Sequence, residues 1–183
     1  MRITGGLFLG RRLQVPVGRQ VRPTTDKVRQ AIFNILVHEI PEARVLDLFA
    51  GSGALGIEAV SRGAESAVFV EKHKSALNCL KRNLAGINLT ARVIEDDWVN
   101  ALRQLAHLDE KFDLIFADPP YGMLAGDAIA EAVVGREGET ESALLAPDGI
   151  LIIESSAQDQ PVTILRTLKE RIFDTTRISF YAR

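Results

Sequence analysis

From residue 43 onward, short apolar runs alternate with segments of helical period. ARVLDLF, SAVFVE, ARVIED, FDLIFADPP and GILIIES are apolar and largely β-branched, while GALGIEAVSRG, HKSALNCLKRNLAG and DWVNALRQLAH carry apolar residues at helical spacing. The stretch 124–146 reads as helical with glycine interruptions. Strands alternating with helices of this length mean βαβ units, hence a parallel sheet covered on both faces. The end departs from that rule: TILRTLKERIF and TTRISFYAR read as two strands joined by a short turn. The expected α/β plan is five parallel strands plus a C-terminal antiparallel hairpin. Ahead of it, RPTTDKVRQAIFNILVHEI reads as a helix. Pro23 forces an extended lead-in, Thr24 or Thr25 caps the first amides, and Val28, Ile32, Ile35 and Leu36 form the apolar stripe. ITGGLFLGRRLQVPV reads as short strands with glycine turns. The expected organisation is a small basic β extension over 1–22 and one α/β domain over 23–183.

Composition narrows the function classes. A single cysteine, Cys79, rules out a disulfide within the chain and fits a reducing cytoplasm; within its helical pattern it reads as a small buried apolar residue. His38, His73 and His107 are scattered, without cysteine partners at ligand spacing, so no metal is expected. No apolar run approaches the roughly 20 residues of a membrane span, and MRITGGLFLGRR does not read as a secretory signal. The formal net charge of −2 conceals an asymmetry. Arg2, Arg11, Arg12, Arg19, Arg22, Lys27 and Arg29 stand against Asp26 alone in the first 29 residues, leaving an acidic body. A cationic end on an acidic body suggests a polyanion docking there.

Open parallel sheets bind ligands beyond the carboxyl ends of their strands, where strand order reverses. The residues following each strand therefore belong together: Asp47 to Gly56, Glu71, Asp96 and Asp97, Asp118 to Tyr121, and Glu154. Gly51, Gly53 and Gly56 satisfy the dinucleotide pattern, and Glu71 follows at about the 20-residue distance of a ribose-binding acid. Alone, that favours a nicotinamide-dependent oxidoreductase. Asp47 opposes it, because a carboxylate beside the glycine loop would repel a pyrophosphate. It suits a ligand with an ammonium group and no phosphate, such as S-adenosylmethionine. Glu71 can accept from two ribose hydroxyls. Asp97, or else Asp96, can accept from an adenine amino group. Trp98 walls the adenine pocket or belongs to the core.

DPPY, Asp118 to Tyr121, is the most specific run. Two prolines lack amide donors and cannot continue a central strand, so the chain leaves the sheet in a stiff extended form. That would aim the Asp118 carboxylate and the Pro119 carbonyl at one point, between which an exocyclic –NH2 fits. Tyr121 offers a face on which a base can stack, worth about 1–3 kcal/mol.

Taken together, ITGGLFLGRRL, RPTTDKVRQAIFNIL, VLDLFAGSGALGIEAVSRGA, VFVEKH, FDLIFADPPYG and ISFYAR resemble the bacterial small-subunit ribosomal RNA (guanine-N2)-methyltransferases, the family named for guanine 966 of 16S RNA. The resemblance spans nearly the whole chain. It implies a Rossmann-like class I methyltransferase sheet, S-adenosylmethionine as donor with S-adenosylhomocysteine as product, and a ribosomal RNA guanine as acceptor. Within the class, another RNA guanine or the N6 of a DNA adenine is the alternative acceptor. The donor site implied comprises Asp47, Phe49, Ala50, Gly51, Ser52, Gly53, Glu71, Lys72, Asp96, Asp97 and Trp98. The catalytic run is Asp118, Pro119, Pro120 and Tyr121. Arg2, Arg11, Arg12, Arg22, Thr24, Arg29 and Tyr121 would hold RNA, with the Arg22 to Arg29 segment closing over donor and base. The expected setting is a cytoplasmic monomer acting on an assembling small ribosomal subunit, away from membranes.

Overall fold

A computed structural model of the chain describes residues 1–16, 25–120, 126–135 and 143–183. Seven strands form one sheet in the order β3-β2-β1-β4-β5-β7-β6. These are β1 (Arg44–Asp47), β2 (Ser66–Val70), β3 (Arg92–Ile94), β4 (Phe112–Ala117), β5 (Leu145–Ser156), β6 (Arg166–Phe173) and β7 (Thr176–Ala182). The first five pair in parallel and β7 runs antiparallel between β5 and β6. The helices are α1 (Asp26–Ile35), α2 (Ala54–Ser61), α3 (Lys74–Gly86), α4 (Trp98–His107) and α5 (Gly126–Val134). From β1 the chain builds outward through β2 to β3, then returns to place β4 on the other side of β1. The strand order thus reverses between β1 and β4, which is where a doubly wound sheet opens a crevice.

The alternation of apolar residues along each strand feeds two cores. Val45, Phe69, Phe116, Ile152 and Phe180 meet Ile32, Phe33, Ile57, Leu80 and Leu84 of α1, α2 and α3. Leu46, Val70, Ile115, Leu151, Ile153 and Tyr181 meet Leu102, Leu105, Ile129 and Val133 of α4 and α5. Neighbouring residues of one strand point to opposite faces, so near-continuous apolar runs are what a sheet covered on both sides requires.

Helix α2 shows how closely these layers approach. A Cβ on Gly56 would stand 2.4 Å from the Phe69 ring, so glycine lets the helix lie against β2. Gly53, the residue before α2, has φ 81°, and a Cβ there would stand 2.5 Å from Leu80. Both backbone conformation and space therefore demand glycine there. The other side of α2 is covered by the N-terminal segment. The amides of Leu7 and Phe8 donate to the carbonyl and Oγ of Ser61, and Thr4 donates to Glu58 through N and Oγ1.

Three expectations change. Among the described N-terminal residues no strand forms; a single antiparallel bridge joins Arg2 to Arg12, because the amides of Thr4, Leu7 and Phe8 turn to α2 while those of Leu9 and Arg11 close local turns. The helix expected over 124–146 is α5 alone within the described residues, and Leu145 and Ala146 already belong to β5. There β5 departs from β4: Phe112 pairs with Leu145 but Leu114 with Ile150, and the excess residues around Pro147 and Gly149 bulge out. Cys79 is half-buried, on the flank of α3. At the start of α1 the cap falls to Thr25, whose hydroxyl accepts from the Val28 amide.

Candidate active site

Four consecutive parallel strands end around one cavity of about 360 Å³. Asp47 is the last residue of β1; Glu71 follows β2, Asp96 and Asp97 follow β3, and Asp118 follows β4. All five line the cavity together with Phe49, Ala50, Gly51, Ser52, Lys72, Trp98 and Pro120. A second cavity, of about 210 Å³, is lined by Asp118, Pro119 and Pro120 on one side and by Asp127, Glu154, Ser155 and the 159–163 loop on the other. Asp118 and Pro120 are the shared wall. Gly53 stays outside the first lining and serves the turn into α2, while Pro119 faces only the second cavity.

Asp47 is 2% exposed and accepts from the Gly56 amide at 3.0 Å, so it also fixes the first turn of α2. Burial pushes its carboxyl up to about 7, against the pull of the Gly56 amide and with the charge of Glu71 adding to the rise. Glu71, 6% exposed, accepts from the Gly51 amide at 3.0 Å and from the His73 amide at 2.7 Å. It therefore holds the glycine loop to the end of β2. This arrangement removes the dinucleotide reading: the Gly51 amide that a pyrophosphate would use already donates to a carboxylate, and a second carboxylate lies beneath the loop.

Asp97 caps α4 through Oδ1, accepting from Val99 and Asn100 at 3.0 and 3.1 Å. Asp96 accepts from the Asp97 amide and from Asn100 Nδ2. Both reach the cavity, and their order as adenine acceptors stays open. Trp98 combines the two roles considered for it. It lines the cavity, packs on the α4–α5 core, and tilts at 44° toward the Phe49 ring, 6.2 Å away.

The basic N-terminus divides. Arg2, Arg11 and Arg12 are exposed, as RNA contacts must be. Arg29 is not: it is 0% exposed, its Nε donates to Glu58 at 3.2 Å, and its Nη2 donates to Asp26 and to the Arg2 carbonyl. Contrary to expectation, Arg29 is not placed to hold RNA, since a fully buried, ion-paired guanidinium offers phosphate no access. Arg22, Thr24 and Tyr121 lie outside the described residues.

Sequence reasoning missed two things. Met1, Val15 and Pro16 complete the first cavity, brought there from far along the chain. Glu58, 0% exposed, gathers Thr4, Arg29 and Arg62, with Arg62 Nε at 2.9 Å, and so ties the N-terminal segment and α1 to α2. The signal for it was one acid in the otherwise small and apolar GALGIEAVS. A buried charge persists only when paired, and its partners here come from three separate elements.

Known proteins carry the same framework. Ribosomal RNA small subunit methyltransferase D of Escherichia coli K12 is 40% identical over 156 residues, covering 79% of this chain and 77% of its own. The structure of a hypothetical protein from Thermus thermophilus, 30% identical, superposes with a TM-score of 0.85 and covers 100% of this chain and 99% of its own. An Agrobacterium tumefaciens S-adenosylmethionine-dependent methyltransferase shares the fold alone, at 16% identity and TM-score 0.60, over 85% of this chain and 62% of its own. The sheet is the class I methyltransferase sheet. The family model described as Conserved hypothetical protein 95 matches residues 1–182, and the chain belongs to that family.

Proposed function

We propose that this chain transfers the methyl group of S-adenosylmethionine to the exocyclic N2 amino group of a guanine in small-subunit ribosomal RNA. The observation that carries the reading is the shared wall. Asp118 and Pro120 separate a cavity suited to the donor from a cavity open to a base. The ribosomal RNA part draws on the name of the E. coli relative, and the guanine N2 part on the DPPY run and the family resemblance.

The first cavity fits the donor by its chemistry. Carboxylates at three strand ends can meet an ammonium group, ribose hydroxyls and an adenine amine, while Phe49, Leu48, Val70 and Trp98 supply apolar walls. Bound there, S-adenosylmethionine supplies a methyl group already made electrophilic by its sulfonium.

The chain's own residues then have two tasks, alignment and exclusion of water. The lone pair of an exocyclic amine is delocalised into the ring. Asp118 and the Pro119 carbonyl accept its two hydrogens, favour a pyramidal nitrogen, and turn the lone pair toward the first cavity. The base enters the second cavity extruded from its stack, with Tyr121 as its stacking platform. No strong base is needed before attack, because the alkylated aminium is very acidic. Asp118 receives that proton or passes it to water. Arg2, Arg11 and Arg12, with Arg22 and Thr24, hold the RNA. A monomer acting in the cytoplasm on an assembling subunit is the setting this reading implies.

The test is transfer of labelled methyl to small-subunit RNA from a strain lacking the enzyme, followed by digestion and nucleoside identification. N2-methylguanosine at one position is the expected product. Label in N6-methyladenosine, or in protein alone, would overturn the reading. Thermal melting gives a quicker check: the methyl donor should raise Tm, whereas a nicotinamide cofactor should not.

A further inference from the structure

Glu154 is a charged residue that the reaction as described leaves unused. It ends the apolar run of β5 and is only 8% exposed. In the β4–β5 pairing Ala117 stands opposite Ile153, so Asp118 and Glu154 are the next residues along each strand. Both line the second cavity. Two other carboxylates there hold the cavity's own frame: Asp127 accepts from the Thr163 amide at 2.8 Å, and Asp159 from the Ser156 amide at 3.0 Å. The Tyr181 hydroxyl accepts from the Val162 amide, fixing the remaining rim. Glu154 differs in lying on a sheet strand, beside the residue that meets the amine.

We infer that Glu154 is the specificity residue that makes the acceptor a guanine, by accepting the hydrogen bond of the guanine N1–H. The inference rests on the function proposed above. In the inferred orientation, a base whose amine sits between Asp118 and the Pro119 carbonyl turns its Watson–Crick edge, and so ring nitrogen N1 rather than N3, to the neighbouring strand end. In guanine that nitrogen is a donor. In adenine, entering by its N6 amine, it is an acceptor and would meet the carboxylate with lone pairs on both sides. A carboxylate facing an acceptor repels its lone pair and receives no hydrogen bond from the base, so rejection is strong in a way an apolar pocket cannot match. Asp118 thus answers to the amine that reacts, and Glu154 to the atom beside it that does not.

The test uses small-subunit RNA carrying guanine or 2-aminopurine at the methylated position. 2-Aminopurine keeps the amine but has an acceptor at N1. Single-turnover methyl transfer is measured for the wild-type protein and for Glu154→Gln, whose amide can donate to that acceptor. Wild type should prefer guanine by about 10- to 100-fold, the value of one good base-edge contact. Glu154→Gln should slow the guanine reaction by a similar factor and bring the two substrates to within a few-fold. Donor binding by calorimetry should be unchanged, which shows that the variant is folded. An unaltered preference in Glu154→Gln, or equal slowing on both substrates, would overturn the inference while the function stood. Failure of the wild-type protein to methylate the guanine RNA would instead remove the function on which the inference rests.

Discussion

The two cavities that meet at Asp118 are built by different means. The first takes its lining from strand ends and the glycine loop, and backbone amides pin its acids: Gly56 to Asp47, Gly51 and His73 to Glu71, Val99 and Asn100 to Asp97. The second has one wall of strand ends and another of loop and helix start, clasped by Thr163 on Asp127, Ser156 on Asp159 and Val162 on Tyr181. A site whose acids double as loop and helix anchors has those acids held in place before a ligand arrives. A base must enter from an RNA chain, and a wall held by a few clasps can admit it. Binding of donor and recognition of base should therefore respond to separate substitutions.

The largest separation is expected at the shared wall. Asp118→Ala should lower single-turnover methyl transfer by about 100- to 1,000-fold, the loss typical of one preorganised electrostatic contact in a transition state. Donor affinity should stay within a few-fold, since in the proposed reaction this carboxylate meets the amine. A folded variant, judged by circular dichroism, with near wild-type turnover would break the division between the cavities at its central residue.

Glu71→Ala should act in the opposite sense. Donor affinity should fall by about 1–3 kcal/mol, from lost charged hydrogen bonds and a loosened Gly51. Turnover at saturating donor should fall far less. Calorimetry and single-turnover rates together decide it, and unchanged affinity would remove Glu71 from the donor site.

Asp47 sharpens the comparison through pH. Its folded carboxyl titrates near 7 against 3.8 for the ordinary group. The folded protein thus holds the extra proton between those values, and stability falls as pH rises through that window, by at most about 1.4 kcal/mol per unit. An ammonium group binding nearby favours the ionised form. Donor affinity should therefore rise from pH 6 to 8, with proton release seen as a dependence of calorimetric heat on buffer. Asp47→Asn should flatten both profiles, and a flat wild-type profile would place the ammonium elsewhere.

The smallest effect is expected at the exposed N-terminal arginines, which line neither cavity. Arg11→Glu with Arg12→Glu should weaken RNA binding and flatten its salt dependence by about 0.7–0.9 in the log–log slope per lost phosphate contact. Donor affinity should not move. Filter binding across a salt series measures it, and an unaltered slope would show these side chains to be merely solvated.

Much of this was legible beforehand because strand ends leave local marks. The acid after each apolar run, the glycines after β1 and the two prolines after β4 each follow from what one strand requires of the next few residues. Asp47, Glu71, Asp96, Asp97 and Asp118, read in this way, all reached the first cavity, together with Trp98. Arg29 shows the limit. Its sequence neighbours are basic and polar, and nothing local distinguishes a guanidinium meant for phosphate from one meant for Glu58. The N-terminal strands failed for the same reason. Glycine and β-branched patterning marked short extended pieces, but the amides of Thr4, Leu7 and Phe8 donate to Glu58 and Ser61 on α2, more than 50 residues away.

The sequence by itself determined the alternation of elements, and with it the parallel sheet, its antiparallel finish and the side of the sheet on which chemistry could occur. Those follow from periodicity and from backbone groups that must be satisfied within a few residues. Only the tertiary structure decided that Met1, Val15 and Pro16 wall the first cavity, that Glu58 binds three elements together, and that Glu154 stands beside Asp118. These depend on strand order and on the docking of distant segments, where burial of apolar surface and pairing of buried charge select among arrangements that no short run of residues can tell apart.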